Sequence, residues 1–184
     1  MDMEIVNSLK YALLSTPLLK VLDFLLQHPD LELNDTEISG HFNAVGKSAV
    51  NLALRRLAGL GLVVRTPRGR MMFNRLVDSP LALELKVASN LMAIQPLTES
   101  LKGLCMKIVL FGSRSQGAHT SESDYDLFIV TSNVKAALKV ISKDPLAELI
   151  QPVIKTPEEA LTFEVDEPAL AGEVREGSIL WQRD

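Results

Sequence analysis

Apolar residues recur at helical spacing from Leu9 to Ser15 and again from Leu18 to Gln27, with Pro17 acceptable at a helix start. His28-Pro29-Asp30 ends the second run, because the residue before a proline avoids the α region. Asn34-Asp35-Thr36-Glu37 predicts a cap leading into a short helix over Thr36–Phe42. Asn43–Gly46 reads as a turn, and Lys47–Ala58 as a longer helix closed by Gly59 and Gly61. The pattern then changes. Leu62–Arg65 predicts a strand, Thr66-Pro67-Arg68-Gly69 a turn, and Arg70–Arg75 a return strand.

Ser79-Pro80 caps a further helix, whose apolar stripe is Leu81, Leu85, Ala88 and Met92. Pro96 breaks or kinks that helix, and Leu97–Leu104 resumes it. The stripe is either core or a surface that joins a second copy into a homodimer, and core is the commoner outcome. Lys107–Phe111 is a buried-strand pattern that runs into Gly112-Ser113-Arg114-Ser115-Gln116-Gly117 and a polar stretch to Ser123. Asp124-Tyr125-Asp126 then opens a second strand, Leu127–Val130. From Pro168 the chain reads as a helix carrying Glu173 and Glu176, followed by a Ser178–Trp181 strand with Trp181 in a packing role.

Composition bounds the picture. The chain has 184 residues, 47% of them hydrophobic and 23% charged, which excludes disordered, collagen-like and disulfide-scaffold classes. The length admits one large domain or two small ones. Cys105 is the only cysteine, so no intrachain disulfide forms. The start, MDMEIVNSLK, lacks the apolar core of a signal peptide, and no run approaches the ~20 apolar residues of a membrane span. A cytoplasmic location with no membrane partner is expected.

Short helix, turn, longer helix and hairpin is the order of a winged helix-turn-helix. On the longer helix Val50, Leu54 and Leu57 face the core. Lys47, Ser48, Asn51 and Arg55 fall on another face, and they are types that reach phosphates and base edges in a major groove. Charge sharpens this reading. The net charge of -4 conceals a split, because residues 44–75 carry seven basic side chains and no acid. Residues 1–75 sum to +2 and residues 76–184 to -6. Arg65, Arg68 and Arg70 of the hairpin join the helix residues as candidate contacts to double-stranded DNA. The competing reading is a winged helix used only for dimerisation or protein contact.

Strand residues two apart share a face, so Asp124 and Asp126 converge. Hard oxygen ligands at that spacing suit Mg²⁺ (or Mn²⁺), which binds through one or two carboxylates and substrate phosphates. Gly112 permits close backbone approach to a phosphate, and the Ser113 hydroxyl can donate to one. A metal beside a phosphate cradle points to phosphoryl or nucleotidyl transfer. Tyr125 should point to the opposite face, and His119 reads as a solvent-facing loop residue. His28 and His41 have no metal-ligand partner at useful spacing.

Gly112-Ser113, ten intervening residues, then Asp124-Tyr125-Asp126 resembles the signature of the DNA polymerase beta-like nucleotidyltransferase superfamily, in its minimal version. With the upstream winged helix, the chain is similar to prokaryotic proteins that fuse such a domain to a DNA-binding module. The fold class expected is α+β in two domains: a winged helix over 1–78, a linker helix over 79–104, and a nucleotidyltransferase domain with a mixed sheet over 105–184. The resemblance implies that Asp124 and Asp126 are catalytic metal ligands, and that Gly112 and Ser113 hold a nucleoside triphosphate, with ATP first in line. Arg114 adds a phosphate contact or is a surface charge. The acceptor it implies carries a hydroxyl and belongs to a protein or an RNA.

One departure stands out. The family carries a third carboxylate on a later strand, and here that position falls to Val153 or its neighbour Gln151. Glu148 is the nearest acid upstream, and Glu164 or Asp166 could reach in. Three functions follow: a nucleotidyltransferase located or regulated by its winged helix, a transcriptional regulator that senses nucleotide without chemistry, and an antitoxin-like interaction module. The gap favours the second and the intact motif favours the first.

Overall fold

This computed structural model describes residues 15–183. The chain divides into two units, Met1–Ser89 and Asn90–Asp184. The helix expected over Leu9–Ser15 lies, but for its last residue, outside the described residues.

In the first unit α1 spans Pro17–Gln27, with Thr16 as its cap and Pro17 in the first turn. A two-residue strand β1 (Leu33–Asn34) leads into α2 (Asp35–Gly40). The cap predicted there is a full capping box: the Asn34 side chain accepts from the Thr36 and Glu37 amides, and the Glu37 carboxylate accepts from the Asn34 amide. Helix α3 (Lys47–Gly59) ends on Gly61, whose φ of 74° needs a residue without a Cβ. Gly61 N donates to Ala58 O and Leu62 N to Leu57 O, a Schellman closure that turns the chain into the next strand.

Strands β2 (Val63–Arg68) and β3 (Met71–Leu76) form the hairpin. The turn is tighter than the expected Thr66–Gly69. Arg68 pairs with Met71, so Gly69 and Arg70 alone make the connection, with Gly69 at φ 61°. Pro67 therefore lies inside a strand. It is tolerated because β2 is an edge of the three-stranded sheet ordered β1-β3-β2. Val21, Leu25, Ile38, Val50, Leu54 and Leu57 fill the core between the helices.

Helix α4 runs from Pro80 to Leu101 as one element with Pro96 inside it. Its first half contributes Ala82 and Leu85 to the first core, and its second half Ile94, Leu97 and Leu101 to the second. Leu81 and Ala88 of the expected stripe are exposed. The helix changes the core it serves part-way along, so one continuous stripe finds Leu85 but misplaces Leu81 and Ala88.

The second unit is a four-stranded mixed sheet ordered β6-β5-β4-β7, with β4 at Lys107–Phe111, β5 at Tyr125–Val130, β6 at Ile150–Lys155 and β7 at Ser178–Gln182. Strand β4 is antiparallel to β5 and β7, whereas β5 and β6 are parallel. Between them lie the one-turn helix α5 (Gly112–Ser115), α6 (Val134–Ile141), a 3-10 turn at Ala147–Leu149, α7 (Pro157–Asp166) and α8 (Pro168–Glu176). Strand alternation sends Ile108, Leu110, Tyr125, Leu127 and Ile129 to a core shared with α4 and α6. Val109, Phe111, Phe128 and Val130 face Phe163 of α7 and Ala171 and Val174 of α8. No helix among the described residues is long and apolar enough to cross a membrane.

Candidate active site

Strand β4 delivers the chain to Gly112 at its end. In the sheet register Phe111 lies opposite Asp126, so the next residue, Gly112, stands beside the Asp126 side chain. Gly112 has φ 69°, and a Cβ placed on it would sit 2.3 Å from Asp126 Oδ2 and 3.2 Å from its Cγ. Only a residue with a bare Cα allows that approach. The turn then closes on itself: Ser115 Oγ donates to Gly112 O at 2.7 Å, and Ala118 N to Ser113 O at 2.9 Å.

Asp124 and Asp126 are both half-buried, and Tyr125 between them is 1% exposed on the opposite, apolar face. Burial pushes the Asp126 carboxyl above its ordinary range; the negative charges of Asp124 and Glu173 push it further, and Arg114 pulls back. A partly desolvated carboxylate with two like charges near it favours a bound cation. Among the described residues no group of three or more His, Cys, Asp or Glu side chains gathers for a metal. Asp124 and Asp126 supply hard oxygen donors, the type that Mg²⁺ or Mn²⁺ takes.

The parallel register between β5 and β6 settles the neighbouring strand. Gln151 lies opposite Asp126, and Val153 opposite Phe128, two pairs deeper into the sheet. The strand position beside Asp126 thus carries an amide rather than an acid. Glu164 is paired with Arg175 at 3.0 Å on the surface, and Glu148 is exposed. Besides Asp124, the acid whose charge raises Asp126 is Glu173 on α8, and nothing in the spacing of the motif points to it.

Arg114 is 2% exposed, so it is not a surface charge. Its Nε donates to Ser123 O at 2.9 Å, its Nη1 to Asn90 Oδ1 at 3.0 Å, and its guanidinium carbon lies 4.1 Å from the Tyr125 ring centroid. His119, expected to face solvent, is also buried, with Nδ1 3.1 Å from Asn90 Nδ2. Because Asn90 Nδ2 also donates to Arg114 O at 2.9 Å, it is the amide nitrogen, and His119 Nδ1 is the acceptor.

The basic candidates of the first unit separate into two groups. Lys47, Ser48, Arg55, Arg68 and Arg70 are exposed. Arg68 also meets Glu32 and lies over the Phe73 ring. Arg65 is committed inward: Nη2 donates to Asp35 at 2.9 Å and Nε to Asn74 Oδ1 at 2.9 Å. Asn51 donates to the same Asp35 carboxylate. Asn74, fully buried, adds a bond of 2.8 Å to it. Burial raises the Asp35 carboxyl, but these amide and guanidinium donors together bring it below its ordinary value. His28 and His41, apart in sequence, both lie against the Phe24 ring at 4.5 Å between centroids.

The strand, turn and paired carboxylates occupy a stretch with a known relative. Residues 95–184 match the model of the polymerase beta nucleotidyltransferase family. That match agrees with the helices and mixed sheet of the second unit. A crystal structure of a "Possible transcriptional regulator for arsenical resistance" is similar at 29% identity over 41% of this chain and 73% of that one, with a TM-score of 0.31. No curated protein matches the chain.

Proposed function

We propose that the second unit is a metal-dependent nucleotidyltransferase and that the first is a DNA-binding winged helix. The observation that carries the enzymatic half is the close approach of Gly112 to the Asp126 carboxylate, with Asp124, two residues earlier, near enough for its charge to raise the Asp126 carboxyl. Asp124 and Asp126 would hold Mg²⁺ or Mn²⁺, which neutralises triphosphate charge when bound. Gly112 and Ser113 hold the triphosphate of ATP or another nucleoside triphosphate. The acceptor hydroxyl, on a protein or RNA, bonds to the α-phosphorus and pyrophosphate leaves. The chain's own contribution is positioning: the ends of two central strands, a tight turn and two acids two residues apart.

Gln151 supports a second reading, a regulator that binds nucleotide without turnover, because the neighbouring strand offers no carboxylate to draw a proton from the acceptor. The two are separated by incubation with labelled ATP, GTP, CTP and UTP and Mg²⁺ or Mn²⁺, with and without lysate protein and RNA. Label transfer that disappears in Asp124→Ala supports the enzyme. Nucleotide binding with no transfer to any acceptor overturns it in favour of the sensor.

The DNA-binding half rests on Lys47, Ser48, Arg55, Arg68 and Arg70, which are exposed on α3 and on the hairpin and its turn. Arg65 and Asn51 act behind that surface, tying hairpin and helix to Asp35. Duplex affinity should fall steeply with salt, and Arg68→Ala with Arg70→Ala should flatten the log–log slope by up to about 2. Binding that is absent, or indifferent to salt, removes this half of the proposal.

A further inference from the structure

The two halves of the metal and phosphate motif are separated by the loop 116–123. Within the loop Thr120 N donates to Ser123 Oγ at 3.0 Å and Ser123 N to Thr120 O at 3.2 Å, while Ala118 N donates to Ser113 O and His119 Nδ1 meets Asn90 Nδ2. Arg114 ties one half of the motif directly to the other. It follows Ser113 directly, so its backbone belongs to the Gly-Ser turn. Its guanidinium grips both sides of Asp124: Nε binds the carbonyl of Ser123, and the cation lies on the face of the Tyr125 ring. Asn90 completes the arrangement. Its Oδ1 accepts from Arg114 Nη1 and its Nδ2 donates to Arg114 O, so side chain and main chain of one residue fix the amide.

A buried guanidinium is costly unless hydrogen-bonded and balanced by charge. Burial lowers the Arg114 pKa, while Tyr125, Asp124 and Asp126 act in the opposite sense. We propose that Arg114 is a positioning residue that sets Asp124 and Asp126 against the Gly112-Ser113 turn through Ser123, Tyr125 and Asn90, and that it does so by its forked geometry and not by touching phosphate. This rests on the nucleotidyltransferase reading of the same site. Lysine at 114 keeps the charge but cannot span Ser123 O and Asn90 Oδ1 together.

The full chain with Arg114→Met, Arg114→Lys and Asn90→Ala is compared with the parent in three measurements: amide hydrogen exchange over residues 118–126, binding of Mn²⁺ alone followed by its magnetic resonance, and binding of ATP without metal. Both Arg114 variants are expected to speed exchange over 120–126 about tenfold. They should weaken Mn²⁺ by about 10–100-fold, the usual effect of losing a group that orients a ligand. Metal-free ATP binding should stay within about twofold. Asn90→Ala should shift exchange and Mn²⁺ in the same direction by less, and it decides the matter if Arg114→Met does not fold. Unchanged exchange overturns the proposal, as does a loss of metal-free ATP binding with Mn²⁺ affinity intact, the pattern of a direct phosphate ligand. Full rescue by lysine would also overturn it, since charge alone would then suffice. If the parent binds no Mn²⁺, the nucleotidyltransferase reading fails and the exchange rates still decide the role of Arg114.

Discussion

Gly112→Ala perturbs the site at its tightest point. The left-handed backbone at φ 69° costs an alanine roughly 1 kcal/mol relative to glycine. The new methyl would lie 2.3 Å from Asp126 Oδ2, whereas a relaxed contact is about 3.5 Å. The carboxylate therefore has to withdraw by about 1 Å, or leave its rotamer at about another 1 kcal/mol. Denaturant unfolding should show a loss of roughly 2 kcal/mol. The loss of function should be larger, because a 1 Å displacement of a positioned group costs about 100-fold in activity. The decisive comparison is the double variant Gly112→Ala with Asp126→Ala. With no carboxylate to strike, the alanine should cost only the backbone part, about 1 kcal/mol, measured from Asp126→Ala alone. If the methyl costs the same with and without the Asp126 side chain, the close approach is not what requires glycine. Parent-like Mn²⁺ affinity in Gly112→Ala would equally refute the reasoning.

Two further outcomes follow from charge. Asp35→Ala leaves the Arg65 guanidinium, 10% exposed, without its acid and should cost about 3 kcal/mol in denaturant unfolding. Since the folded Asp35 carboxyl lies below its ordinary value, its contribution is present above the unfolded pKa of about 3.9 and is lost as pH falls through the folded value, so the variant should show a shallower acid decline. Glu173→Gln removes one of the two like charges that raise Asp126, after burial. The pH midpoint of Mn²⁺ binding should move down, and a midpoint that stays or rises would deny Glu173 any part in the site's electrostatics.

Sequence alone determined whatever depends on near neighbours. The Asn34/Glu37 capping box and the Gly61 closure of α3 are governed by residues a few positions apart, so pattern and backbone chemistry sufficed. The helix and strand after Pro168 were legible for the same reason. What escaped the sequence depends on which strands pair and what lies across the core. Arg65 and Arg114 read identically to any exposed cation. Only the fold brings Asp35 to the first from 30 residues away and Asn90 to the second from 24. Whether Gln151 or Val153 stands beside Asp126 is a question of register, and a register is set by the packing of whole strands. The Glu173 charge bears on Asp126 because α8 packs across the sheet, a placement no spacing encodes. A charge in a sequence is a fixed quantity, but its partner, its solvent and therefore its role belong to the tertiary structure.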